Sequence, residues 1–332
     1  MNLRGSLRRT RSAPASGPRR WLIVALWGAH GVRPPVRVLL YIALVALAAA
    51  ALSVTIHLTL LMLPALHARV IAAIHQARSA AGARPGIIIA QESAFLACAL
   101  VATWAMTRLE GIRLRDVGLR AARRVRDLAW GLAVGFLLLA LLVAALMALG
   151  AGTLAPPTIG VAAALGWGLA WLTATMLIGA FEEIVFRGYL LSMLRERYGF
   201  WPAAIAVSGL FTLAHAGNPG EQPMGLLTVG LVSVFFCLAI RRTGSLWWVI
   251  GCHAAWDWSE NFFFGSADSG MHSMGRLLTL TPRGPALLSG GTVGPEGSIL
   301  CLAVQVLAIL AVPLIVPRQR AAEPGAPDFA GS

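Results

Sequence analysis

The chain has 332 residues, of which 58% are hydrophobic and 12% charged, with a formal net charge of +13. Soluble domains run at roughly 45–50% apolar and 25% charged, so this composition excludes an ordinary soluble protein and predicts a polytopic membrane protein. All 27 basic residues are Arg, and only their placement can tell nucleic-acid affinity from membrane orientation.

Residues 1–37 read as a basic cytoplasmic N-terminal segment, partly disordered. The apolar piece Trp21–Ala29 is too short to span and is followed by Arg33-Pro-Pro-Val-Arg37 instead of a small-residue cleavage site, so it predicts an interfacial segment and no cleaved signal peptide. Apolar runs approaching the ~20 residues needed to cross a hydrocarbon core occur at 38–66, 86–107, 128–150 and 161–186. Shorter or polar-interrupted runs follow at 202–216, 224–240, 246–264 and 298–316, and together they predict an all-α bundle of about eight transmembrane helices.

With the N-terminus inside, 21 Arg fall in cytoplasmic segments and five in outer ones, and Arg187 lies within a helix. This asymmetry is the positive-inside pattern, and it predicts a multi-pass protein of the cell membrane with both termini cytoplasmic and no nucleic-acid partner.

Residues 38–150 read as a three-helix N-terminal scaffold with an Arg-rich interfacial segment at 108–127. Gly131 and Gly135 have the small-xxx-small spacing that permits close helix approach. Glu92 and His57 lie toward helix ends, where a polar side chain most often reaches the interface. Residues 151–316 read as the helical core that carries the chemistry. Within it, 265–297 is a Gly/Ser/Pro-rich loop facing outward, and 317–332 is a disordered tail. Cys98, Cys237, Cys252 and Cys301 all lie in apolar runs without a CxxC pair and are read as packing residues.

Charged side chains within apolar helices cost at least roughly 2.5–3.5 kcal/mol each and persist mainly where they face a polar interior. In Glu182-Glu183-Ile-Val-Phe-Arg187 the i,i+4 spacing lets Glu183 pair with Arg187, while Glu182 points about 100° away and stays free to act as a general base. In Phe211-Thr-Leu-Ala-His215 ring and imidazole share a face. In His253-Ala-Ala-Trp-Asp257 imidazole and carboxylate stand side by side. Three helices thus offer acid/base groups that could gather in one wet chamber, able to activate water and to stabilise an oxyanion. Glu260 and Trp256–Trp258 are read as shaping its entrance.

The pattern EExxxR, FxxxH and HxxxD, in this order, resembles the CPBP intramembrane proteases, the family of CAAX-prenyl endopeptidases and bacteriocin-processing proteins. The resemblance covers about 160–265, and Asp116-Val-Gly-Leu119 is similar to a further stretch of that family. It implies an intramembrane endopeptidase acting on a peptide or membrane-protein substrate near the cytoplasmic face. Glu182 with His215 would polarise the attacking water, Glu183 and Arg187 would support the site, and His253 with Asp257 would hold the oxyanion. Many relatives carry Asn where this chain has Asp257. An ionised Asp cannot donate, so Asp257 is either protonated or orients His253 and keeps it cationic.

Two histidines and a carboxylate can also hold zinc, in which case Glu182, His215 and His253 are the expected ligands. Nothing resembles HExxH, and the preferred reading uses no cofactor. Two other classes fit the same residues: a proton-coupled transporter, against which stands the lack of an internal repeat, and a non-catalytic scaffold or immunity-type protein. The sequence sets neither the substrate nor the oligomeric state.

Overall fold

The computed structural model describes residues 27–28, 31–68, 82–119, 123–218 and 221–318. The expectations for the stretch before Trp27 and for the tail beyond Arg318 fall outside these residues, as do 120–122 of the interfacial segment. A minimal hairpin of β1 (Trp27–Gly28) and β2 (Gly31–Val32) leads into α1 (Pro34–Met62), which Pro34 and Pro35 open. α2 (Pro85–Leu109) and α3 (Arg124–Ala148) follow. α4 (Val161–Glu183) runs on through a π-helical turn, Ile184–Leu190, into α5 (Leu191–Tyr198). Then come α6 (Phe200–His215), α7 (Pro223–Thr243), and α8 (Leu246–Trp258) with a second π-helical turn at Ser259–Phe263. The short α9 (Ala286–Ser289), α10 (Ile299–Leu310) and α11 (Val312–Ile315) close the chain.

The protein is an all-α polytopic helical bundle, and each of the eight apolar runs forms a helix. Among the described residues, five helical stretches are long and apolar enough to cross a membrane: α1, α2, α3, the continuous rod Val161–Tyr198, and α7. α6 and α10 are shorter apolar helices. Only Tyr41 of α1 is buried, its hydroxyl 2.9 Å from Thr103 Oγ1, while Leu39, Leu47, Val54 and Met62 are exposed. Such a continuous apolar exterior suits hydrocarbon and would be a hazard in water.

Glycine sets how closely the site helix can be held. α8 lies against α3 with backbone touching backbone. A Cβ at Gly131 would sit 2.1 Å from the Trp248 carbonyl oxygen, one at Gly135 2.1 Å from that of Cys252, and one at Gly251 2.4 Å from that of Leu128. The small-xxx-small pair of α3 therefore forms a main-chain contact with the helix that carries His253 and Asp257.

The Asp116–Leu119 turn pins the start of the same helix. Gly118 adopts φ +91°, its carbonyl accepts from the Leu246 N–H at 2.9 Å, and the Trp247 indole donates to the Leu119 carbonyl at 3.0 Å. Positive φ is open to Gly at no steric cost, and a Cβ here would also press on Leu246 at 3.0 Å.

The segment 265–297, expected as an outward loop, is an organised cap. β3 (Gly152–Ala155) pairs antiparallel with β4 (Thr279–Pro282), and backbone bonds tie the cap to the end of α8, including Ser266 N–H to Glu260 O at 3.0 Å and Leu277 N–H to Phe262 O at 2.7 Å. All four cysteines are free and buried.

Candidate active site

The last turn of α4 carries two neighbouring acids to different fates. Glu183 and Arg187 are fully buried, and Arg187 Nη1 donates to Glu183 Oε1 at 3.0 Å. The i,i+4 pair expected on an α-helix survives although Arg187 lies in the π-helical turn. A π turn is rare in itself and recurs at functional sites, where it re-aims side chains. Glu182 turns the other way, into a chamber, and its Oε2 has no hydrogen-bond partner among the described residues.

That chamber has a volume of about 330 Å³ and is lined by residues of α2, α3, α4, α6, α7, α8, the cap and α10. Glu182, His215, His253 and Asp257 all face it. The three motifs, scattered over 76 positions of sequence, thus meet at one cavity.

His253 is the hub. Its Nδ1 lies 2.9 Å from Glu183 Oε1, the oxygen already bound by Arg187. Its Nε2 lies 3.5 Å from Asp257 Oδ2 and 3.8 Å from Glu182 Oε2. A carboxylate paired with a guanidinium can only accept, so Nδ1 carries a proton and Nε2 faces the chamber between two acids.

His215 is fixed by similar logic. Its Nδ1 is 2.8 Å from the Phe211 carbonyl oxygen, which can only accept. Neutral His215 therefore presents Nε2 as an acceptor. Phe211 links this motif to the first: its ring centroid lies 4.1 Å from Arg187 Cζ and 4.4 Å from the His215 ring. Stacked on an aromatic face, the guanidinium gains a favourable contact that a buried cation needs.

The residues offered for zinc do not form a ready cradle. The ligand atoms of Glu182, His215 and His253 do not converge within 4.8 Å of one another, whereas those of Glu260, Asp268 and Glu296 do. A zinc ion bonds its ligands at about 2.0–2.2 Å, so side chains would have to move for one ion to touch the first trio.

Three site-lining acids were not legible as such. Glu92, read as an interfacial anchor, is buried and faces the chamber, with Gln91 Nε2 donating to its Oε1 at 3.2 Å. Its place near one end of an apolar helix suggested the bland reading. Asp268 and Glu296 descend from the cap. Burial pushes the Asp268 carboxyl above the usual carboxylate range, and burial with the nearby Asp268 charge does the same to Glu296. The available signal was their isolation, since these are the two acids of 265–297 in a chain that has 14 in all. Glu260, placed at the entrance by the sequence, is instead fully buried behind it.

Residues 166–259 match the family described as Type II CAAX prenyl endopeptidase Rce1-like. This segment is similar to the CPBP family of CAAX-type proteases. The matched stretch begins within α4, ends one residue past α8, and contains Glu182, Glu183, Arg187, His215, His253 and Asp257. No curated protein and no solved structure matches the chain. A CAAX-type intramembrane protease is thus the general activity that the family supports, on a peptide or protein substrate in a bilayer.

Proposed function

We propose that the protein is a multi-pass endopeptidase of the cell membrane that hydrolyses peptide bonds near the cytoplasmic face with a Glu182-activated water and no metal. The single observation that carries this reading is the Oε2 of Glu182, which accepts no hydrogen bond and faces a chamber shared with two oriented imidazoles. Water bridges Glu182 and the Nε2 acceptor of His215. Glu182 takes a proton from the water as its oxygen adds to the scissile carbonyl carbon. The resulting oxyanion accepts from the Nε2–H of protonated His253, which Glu183 and Arg187 hold in orientation. Collapse breaks the C–N bond, and Glu182 returns its proton to the leaving amine.

Asp257, beside His253 Nε2, acts here as the group that keeps that imidazole in register rather than as a donor. Both termini are assigned to the cytoplasm on the Arg asymmetry.

The test is membrane proteomics of cells carrying wild type, Glu182→Gln or His215→Ala. Peptides cleaved only in wild-type cells are expected, and equal cleavage in either variant overturns the assignment. A purified active protein holding one zinc per chain, whose removal abolishes cleavage, overturns the metal-free mechanism.

A further inference from the structure

A second group of acids lies beyond the family-matched segment. Glu260 sits in the π-helical turn after α8, Asp268 in the cap, and Glu296 in the 3-10 turn Pro295–Gly297 before α10. Their ligand oxygens all lie within 4.8 Å of one another. Glu260 is fully buried, and neither of its oxygens has a hydrogen-bond partner. The Trp256 indole, one turn back, donates to Glu296 Oε1 at 3.1 Å and lies close to Glu260 as well. Ser269 donates to Glu296 Oε2 at 3.2 Å, and Asn261 donates to Asp268 Oδ2. Among the described residues no Arg or His lies within ion-pairing distance of any of the three, and His253 acts on Asp268 only across space. Gln305, buried on the lining of the active-site chamber that Asp268 and Glu296 also line, has an unpartnered Oε1 as well.

Three carboxylates brought this close in a buried place repel one another, and neither oxygen of Glu260 accepts the well-formed hydrogen bond that burial demands. A cation answers both requirements. Three oxygens within 4.8 Å of one another need to draw in by no more than a few tenths of an ångström to share one ion at about 2.4 Å, the bond length of calcium, and an all-carboxylate set favours hard cations over zinc. We propose that Glu260, Asp268 and Glu296 together bind one hard divalent cation, calcium or magnesium. The ion joins the end of α8 to the cap and to the start of α10, and so fixes the wall next to Asp257. The inference does not depend on the protein being a peptidase.

The experiment uses full-length protein in detergent, stripped with chelator and then exposed to calcium, magnesium or zinc chloride. Bound metal is counted by elemental analysis, and thermal unfolding is followed. One calcium or magnesium per chain is expected, with a rise in Tm of about 3 °C or more at saturating ion. The two salts, added separately, decide which ion is preferred. Glu260→Gln and Glu296→Gln, close in shape to the native residues, are each expected to weaken binding at least tenfold.

Wild-type protein that gains neither bound ion nor thermal stability from either salt overturns the proposal. So does binding that both variants retain, or binding lost in Glu182→Gln and kept in Glu260→Gln, which would move the ion to the Glu182 site. Loss of cleavage in Glu182→Gln with ion binding intact separates this site from the catalytic assignment.

Discussion

His253 Nδ1 lies 2.9 Å from Oε1 of Glu183, a residue 70 positions earlier on another helix. Because Arg187 holds the same oxygen at 3.0 Å, that one atom joins a buried cation to the imidazole that faces the chamber. Glu183 is fully buried and does not line the chamber, so its part is to set tautomer and direction.

Replacing Glu183 by Gln should therefore damage folding and turnover together. It leaves the buried Arg187 without a counter-charge, a loss of about 3–5 kcal/mol for a broken buried pair. The double variant Glu183→Gln/Arg187→Met is expected to recover much of the thermal stability and none of the activity. Recovery of cleavage in the double variant would show that His253 needs no help from α4.

For His215→Ala the expectation reverses. The side chain makes one local hydrogen bond and stacks on Phe211, so unfolding should shift little. Turnover should fall about 10²–10⁴-fold, the range of a lost acid/base group. A drop of less than fivefold would remove His215 from the reaction.

Phe211→Leu tests the bridge between the first two motifs. It strips an aromatic face from Arg187 and a stacking partner from His215 at once. A stability loss of about 1–3 kcal/mol with roughly tenfold slower turnover is expected from thermal unfolding and single-turnover cleavage. Unchanged rates would mean that the carbonyl of residue 211 alone orients the imidazole.

Gly135→Leu should separate α3 from α8. Cβ would overlap the Cys252 carbonyl oxygen at 2.1 Å, and backbone cannot yield as a side chain can. Reduced folded yield is predicted, with lost activity in what does fold, because His253 is the next residue along. Gly209→Leu on α6, where a Cβ meets nothing within 4 Å, serves as the matched control.

What the sequence revealed follows from helical geometry. Pairs four residues apart, Glu183/Arg187 and His253/Asp257, needed only the 3.6-residue repeat and a judgement of which faces are apolar. The link from His253 to Glu183 depends on how α4 and α8 cross, which no local spacing encodes. Both π-helical turns escaped for a related reason: reading with a constant period assumes that the period never changes. Asp268 and Glu296 were missed because loop residues carry no periodicity at all. Their position is set by the β3–β4 pairing and by the bonds of the cap to α8.

The bare main-chain seam between α3 and α8 also limits how this molecule can be divided. A fragment beginning near residue 151 would keep the EExxxR, FxxxH and HxxxD residues yet present the carbonyls of Trp248 and Cys252 to lipid through a strip that no side chain shields. The leading helices are therefore the other half of the wall on which the chemistry stands, and a transplant of the motif-bearing part has to bring α3 with it.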